Sequence, residues 1–416
     1  MQLKTILNQV EKHKSFVYGQ ARLVGEGPSR RIEVPLRPRK NSRPECSGCG
    51  ERGPVYDTLR TRQFKFIPLW GIVVLFIYAM RRVNCVRCGV KVERVPWSTG
   101  KSPLTTSYAW YLARWAKLLS WKQVARTFRT SWNTVFQAVS MAVAWGLENR
   151  SLKQIRSIGV DEVKWRCGHR YLTVVYQLDE HCRRLLWVGQ DRKTSTLDAF
   201  FNFFGPRALH LRWVCSDMWK PYLEVLRRRA PRALHVLDRY HIVANLNKAI
   251  DKIRAEEAKR MKADGYEPVL KSTRWLLLRR PKNLTAKQRR SLRDLLEYNL
   301  KTVRAYLLKE DLQLLWEYVS PTWAAKFLDR WCTRAMRSKL EPLKKVARSL
   351  REHRDLILNW FDAAGLVSAG PTEGLNNKLK VAFRNAFGYR CFKTAEIALY
   401  HSMGRLPEPE HAHRFL

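Results

Sequence analysis

Residues 157–163 read SIGVDEV and residues 212–218 read RWVCSDM, two apolar runs that each lead into an aspartate. Around them, Ile158–Val163, Tyr171–Leu178 and Arg184–Val188 are dense in β-branched and aromatic residues, the composition of three successive strands and hence of an antiparallel meander. A helix pattern (Thr196–Phe204), a strand (Arg212–Cys215), a helix (Lys220–Arg229) and a strand (Ala233–Leu237) follow, which is a βαβαβ alternation with a parallel component. The order β-β-β-α-β-α-β is that of an RNase H-like core. In such a sheet the first and fourth strands are neighbours, so Asp161 and Asp217, each at a strand end, stand side by side. Glu373 opens a further helix, Thr372–Phe387, which starts after Gly370-Pro371 in AGPTEGLNNKLK (369–380) and stops at Gly388, and its carboxylate completes an acidic cup. Three carboxylates repel one another unless hard cations such as Mg2+ neutralise them, and two such ions suit in-line phosphoryl transfer.

Other polar residues group around this cup. Glu162 follows Asp161 directly and points to the opposite strand face. Asp238 and His241, in VLDRYHIV (236–243), follow the fifth strand and stand at the site edge, where Asp238 bonds His241 or a backbone N–H rather than a metal. Asn376 and Lys380 lie one and two turns beyond Glu373 and face DNA near the reacting phosphate.

The rest of the chain fits a protein that handles a polyanion. Its 416 residues predict two to four domains, and 45% hydrophobic residues supply enough apolar surface for most of it to fold. Its 78 Lys and Arg against 36 Asp and Glu give a net charge of +42, a self-repulsion that makes physical sense beside nucleic acid. The longest apolar run, Ile67–Met80, is interrupted by Pro68 and Gly71 and falls short of the roughly 18 to 20 residues that span a bilayer, so it reads as paired strands. Met1–Glu11 carries no secretory signal pattern. No membrane association and a cytoplasmic location are expected, and nine cysteines, an odd number, speak for a reducing compartment in which some thiols bind metal.

Cys46-x-x-Cys49 and Cys85-x-x-Cys88, each followed by glycine, form two knuckles able to surround Zn2+, with a β-hairpin in Phe64–Tyr78 filling the long gap between them. Cys167, Cys182, Cys215, Cys332 and Cys391 have no such spacing and read as core thiols. Residues 118–139, LLSWKQVARTFRTSWNTVFQAV, have the layout of a helix-turn-helix: Trp121–Phe128, a turn, then Trp132–Ala142. Asn133, Thr134 and Gln137 suit base edges, and Lys122, Arg126 and Arg129 suit phosphates. Trp121, Trp132, Trp275, Trp316, Trp323 and Trp331 are assigned mostly to cores.

The expected organisation is an N-terminal helix and extended basic arm (1–45), a zinc-binding β unit (46–100), a helix-turn-helix (101–150), the first part of the core (151–241), an all-helical insertion rich in Leu, Lys and Arg (242–362), and the last part of the core with Glu373 (363–416). The fold class is multidomain α/β: an RNase H-like core, a mixed sheet with flanking helices, interrupted by the helical insertion.

With CSGCG, RRVNCVRCG, IGVDE, GHRYLTVVY, SDMWKPYL, VLDRYHIV, AYLLKE, TEGLNNKLK and RNAFGYR in this order, the sequence resembles DDE-type insertion-sequence transposases of the ISL-three family, from about Ile6 to Tyr400. The resemblance implies that Asp161, Asp217 and Glu373 are a catalytic, Mg2+-binding triad and that the substrates are double-stranded DNA, the terminal inverted repeats and the target. It further implies a homodimer or larger assembly on DNA, in a prokaryotic, nucleoid-associated setting. Two other classes share parts of the pattern. A non-enzymatic zinc-finger and helix-turn-helix regulator has no use for an acid triad, and an RNase H-like nuclease has no need of two sequence-reading modules.

Overall fold

Alternating and continuous apolar runs between Ser157 and Leu237 become strands, and the amphipathic stretches between them become helices. The computed structural model describes residues 2–413 apart from 167, 169, 267, 268 and 364–369. It divides into two units, Met1–Ser151 with Ala382–Leu416, and Leu152–Val381. The stretch 363–416, read as one piece of the core, is therefore shared between them, the division falling within a single helix.

The first unit begins with α1 (Leu3–Val10) and a six-stranded sheet of β1 (Phe16–Tyr18), β2 (Arg22–Val24), β3 (Arg31–Pro38), β4 (Val55–Leu69), β5 (Ile72–Cys85) and β6 (Gly89–Val92). The order is β1-β3-β5-β4, with β2 on β3 and β6 on β5. The long antiparallel hairpin β4–β5, in register at Phe64↔Phe76 and turning at Trp70-Gly71, joins the two cysteine knuckles. The expected basic arm differs: Ile32, Val34 and Leu36 alternate into the core, so β3 pairs with β5 as an inner strand while its arginines and prolines hide that alternation in the sequence. Trp97 is fully buried among the rings of His13, Phe16, Phe64 and Tyr78. Helices α2 (Thr106–Leu118), α3 (Trp121–Thr127) and α4 (Trp132–Asn149) follow. A capping box of Ser120 and Gln123 starts α3, and the Ser131 hydroxyl starts α4.

The second unit is built on a five-stranded sheet of β7 (Ser157–Arg166), β8 (Arg170–Gln177), β9 (Arg184–Gln190), β10 (Trp213–Ser216) and β11 (Leu234–Leu237), in the order β11-β10-β7-β8-β9. β7, β10 and β11 are mutually parallel, and β8 is antiparallel to β7 and β9. On one face, α5 (Thr194–Phe204) and α6 (Lys220–Arg229) bury Leu197, Phe200, Phe204, Tyr222 and Leu226 against Ile158, Val160 and Val175. Each such side chain contributes roughly 1.5–3 kcal/mol. After β11 come α7 (Arg239–Ala263), α8 (Arg274–Leu278), α9 (Ala286–Leu296), α10 (Lys301–Gln313), α11 (Pro321–Arg337), α12 (Glu341–Glu352) and α13 (Arg354–Asp362), which share one apolar core. Then α14 (Gly370–Asn385) covers the other face of β7, and α15 (Phe392–Met403) returns to pack on α4 in the first unit.

Candidate active site and metal centre

Strand register sets the acids level with one another. The β7–β10 pairing ends at Cys215↔Gly159, and two residues beyond lie Asp217 and Asp161. The β10–β11 pairing ends at Ser216↔Leu237, and one residue beyond lie Asp217 and Asp238. The three aspartates thus lie level with one another, Asp217 and Asp238 just beyond the carboxyl ends of β10 and β11 and Asp161 where β7 parts from β10, on the side where open α/β sheets place their ligands. Asp161 does not end its strand as expected: β7 continues to Arg166 because its hairpin with β8 outlasts the pairing with β10.

Helix α14 approaches this edge because Gly159 has no side chain. A Cβ there would lie 2.8 Å from the Thr372 hydroxyl, so glycine lets the first turn of the helix rest on β7. Glu373 is exposed in that first turn. One turn on, Asn376 is buried: its amide nitrogen donates to Asp161 Oδ2, and its oxygen accepts from the Tyr176 hydroxyl at 2.8 Å. The expected outward-facing Asn376 is thus turned inward onto the acid, and Lys380 remains exposed. Asp161 Oδ1 also accepts from the Glu162 N–H at 2.7 Å, while Asp217 Oδ1 accepts from the Trp219 N–H at 3.1 Å. Asp238 caps α7, its Oδ1 accepting from the Tyr240 N–H at 2.7 Å. His241 Nε2 stands between two acids, 3.7 Å from Asp238 Oδ2 and 3.9 Å from Asp161 Oδ1, outside hydrogen-bond range of both.

Burial and mutual repulsion show in the acidities. Burial pushes Asp161 up, with Asp217 adding to it, against the pull of His241, the Glu162 N–H and Asn376. Asp238 is pushed up to about 6 by burial, with Asp161 and Glu373 adding to the effect and His241 opposing it. Glu162 is pushed up to about 7 by burial and by Asp217, despite its ion pair with Arg192. An oxygen-rich set that resists ionisation suits a hard cation such as Mg2+, whose charge favours the ionised form of each ligand. These carboxylates stand open: among the described residues, the cluster of three or more metal-ligating side chains drawn within 4.8 Å is a different one.

That cluster is Cys46, Cys49, Cys85 and Cys88. Gly50 and Gly89, at φ +80° and +69°, turn the chain after each knuckle in a conformation that favours glycine. The Gly48 N–H reaches Cys46 Sγ at 3.4 Å, and Cys49 Sγ lies 3.5 Å from Cys85 Sγ. Tetrahedral Zn2+ with bonds of about 2.3 Å needs sulfurs about 3.8 Å apart, so the donor set fits. Backbone N–H groups of Cys49 and Gly48 draw Cys46 down to about 7, whereas its bond with Cys49, and burial, push Cys88 up to about 12. Of the other thiols, Cys215 and Cys332 are buried as expected and Cys182 is half-buried, but Cys391 is exposed because it sits at the N-cap of α15; Cys167 lies outside the described residues.

Helices α3 and α4 are joined by a turn in which Arg129 has φ +46°. Lys122, Arg126, Arg129, Asn133 and Gln137 are exposed, but Thr134 is half-buried with its hydroxyl 2.8 Å from that of Ser131. Trp132 stacks on Phe136 yet stays exposed, as do Trp275 and Trp323, whereas Trp316 and Trp331 are buried. Sequence reading missed Tyr176, Gly159 and Arg192 beside the carboxylate cluster. A signal for the glycine existed, since an isolated glycine in a strand marks close approach of another element.

Among the described residues no helix is long and apolar enough to cross a membrane. The family model DDE_Tnp_ISL3, described as a transposase, matches residues 158–399. The transposase for insertion sequence element IS1001 of Bordetella parapertussis is 30% identical over 369 residues, 88% of this chain and 90% of its own length. The transposase for insertion sequence element IS1557 of Mycobacterium tuberculosis (strain CDC 1551 / Oshkosh) is 30% identical over 392 residues, 88% of this chain and 86% of its own. Among solved structures, the Drosophila P element transposase strand transfer complex superposes with a TM-score of 0.42 at 10% identity, covering 76% of this chain and 94% of that one. A family match across 158–399 and relatives aligned over most of their own length carry the same conclusion: the chain belongs to the ISL3 family of transposases.

Proposed function

We propose that this insertion-sequence transposase binds the terminal inverted repeats of its element and carries out DNA end cleavage and strand transfer with Asp161, Asp217 and Glu373 as its catalytic carboxylates. The observation that carries the reading is the placement of Asp161 and Asp217 level on adjacent strands, just beyond the last β7–β10 pair, with the first turn of α14, bearing Glu373, seated over Gly159. In this reading the second unit is an RNase H-like core (151–241 and the segment from 363) interrupted by the helical insertion (242–362). Bound by the three carboxylates, two Mg2+ ions would supply charge neutralisation at the phosphate and a more acidic water or 3′-hydroxyl.

The chain's own residues set the geometry for that chemistry. Asn376 and the Glu162 N–H fix both oxygens of Asp161, and the Trp219 N–H fixes Asp217. Asn376 thus positions an acid rather than contacting DNA, and Lys380, two turns from Glu373, is left to meet a phosphate. Asp238 and His241 act from the edge, holding the start of α7 and sharing the field of Asp161. In cleavage, water attacks phosphorus, the bond to the 3′ oxygen breaks, and the leaving oxygen takes a proton to become a 3′-hydroxyl. In strand transfer that hydroxyl attacks a target phosphodiester, losing its proton as the target's 3′ oxygen leaves. The four-cysteine unit (46–100), holding Zn2+, and the helix-turn-helix of α3 and α4 (101–150) read the repeats. A dimer or larger assembly holds both ends.

End-labelled repeat DNA tests the reading. Asp161→Asn, Asp217→Asn and Glu373→Gln should each abolish Mg2+-dependent cleavage while end binding persists. Activity retained by any one removes it from the triad, and binding without cleavage by the unaltered protein would favour a regulator.

A further inference from the structure

The turn that carries Asp217 is anchored by a ring of side chains on the α5/α6 face of the sheet, and Arg192 closes that ring. The Arg192 guanidinium lies 4.1 Å from the centroid of the Trp219 ring and is ion-paired with Glu162, the β7 residue after Asp161. Trp219 donates its backbone N–H to Asp217 and sets its indole edge-on against Tyr222, centroids 4.6 Å apart. The Tyr222 hydroxyl meets Thr173 Oγ1 at 2.6 Å, and Thr173 is the β8 residue directly opposite Glu162. Thr173 in turn bonds the carbonyl of Asp191 at 2.7 Å, which holds the segment bearing Arg192 in place. β10 ends at Ser216, so ladder hydrogen bonds stop before Asp217, and the stack on Trp219 continues the support past the strand.

We propose that Arg192 is a positioning residue for Asp217, clamping the Asp217–Trp219 turn to β7 through its stack on Trp219 and its pair with Glu162. The inference rests on the assignment of Asp217 as a metal-binding acid. Arginine suits this place because a planar guanidinium stacks on an indole while its edge pairs with a carboxylate, which a lysine ammonium does not do. Asp161 draws support from β8 and α14, whereas the Asp217 turn, beyond the Ser216 hydroxyl that donates to the Asp217 carbonyl at 3.0 Å, rests on this clamp.

The test is Mn2+ binding to the full chain without DNA, read from the paramagnetic resonance of free ion, beside end binding and cleavage. Arg192→Ala and Trp219→Ala should each weaken Mn2+ affinity by roughly 10- to 100-fold, as loss of a supporting group does, with end binding unchanged. Arg192→Lys should fall between them and the unaltered protein, and the double alanine change should resemble either single one. If the alanine variants melt early, Arg192→Lys and Trp219→Phe carry the comparison. Unchanged Mn2+ affinity in the Arg192 and Trp219 variants, with Asp217→Asn weakened, would overturn the clamp and leave the acid in place. Unchanged affinity in Asp217→Asn would instead remove the metal-binding assignment, and the clamp with it.

Discussion

Asp238→Asn isolates a charge that the fold carries at a cost. Its carboxylate is buried at the end of β11, where burial and the neighbouring Asp161 and Glu373 push it from 3.8 to about 6. That rise corresponds to about 3 kcal/mol. At pH 8 the carboxyl is ionised in both folded and unfolded chains, so the folded protein bears the full cost. As pH falls through about 6 the folded protein takes up the proton, and near pH 4, where the unfolded chain is partly protonated too, the cost has shrunk to under about 1 kcal/mol. Asparagine caps a helix as well as aspartate, so the contact with the Tyr240 N–H survives. In urea unfolding of metal-free protein, Asp238→Asn should therefore be more stable by up to about 3 kcal/mol at pH 8, with the advantage fading by pH 4. Single-turnover cleavage should fall roughly 10- to 100-fold. His241→Ala should lower cleavage to the same degree, and the pair of changes should cost little more than either alone. A variant no more stable than its parent at pH 8, or one whose advantage persists at pH 4, would refute the argument. Complete inactivity at saturating Mg2+ with end binding preserved would make Asp238 a metal ligand.

Other outcomes follow from the same geometry. Cys46→Ser and Cys88→Ser should release zinc and unfold the knuckles, leaving salt-sensitive, sequence-independent binding; unchanged zinc content in both would end the assignment. Asn133→Ala and Gln137→Ala should relax sequence preference by roughly 1 to 3 kcal/mol each, and Arg129→Ala should weaken binding to all DNA alike, a contrast that competition with random DNA measures. Asn376→Leu should leave Asp161 and the Tyr176 hydroxyl without their partner, costing about 1–3 kcal/mol in urea unfolding and lowering cleavage while end affinity holds. An unchanged cleavage rate in Asn376→Leu would mean that Asp161 needs no such support.

The strands of the second unit were legible because each is a short apolar run bounded by polar residues, and burial makes such runs continuous. The same logic exposed Asp161 and Asp217: an acid directly after an apolar run has no packing reason to be there. Strand β3 resisted reading for the opposite cause. In RIEVPLRP the buried Ile32, Val34 and Leu36 alternate correctly, but the arginines and prolines between them carry the composition of a solvated arm. Asn376 shows a further limit. Spacing along α14 puts it near Glu373, yet the facing of that turn is set by Gly159, more than two hundred residues earlier.

Residues proposed to perform chemistry and residues proposed to aim them therefore differ in how they can be found. An acid at the end of an apolar run violates a local rule, so a single segment reveals it. Arg192, Trp219, Tyr222 and Thr173 each obey local rules: an arginine after a strand, aromatics near a helix start, a threonine within a strand. Their meaning lies in contacts across segments, and no periodicity along the chain encodes those contacts. Only the sheet register, which sets Glu162 opposite Thr173 and Asp161 level with Asp217, converts four ordinary residues into a support for one carboxylate. Loss of that support should reveal itself in metal affinity before it reveals itself in folding, because the strands beneath it stand on their own apolar cores.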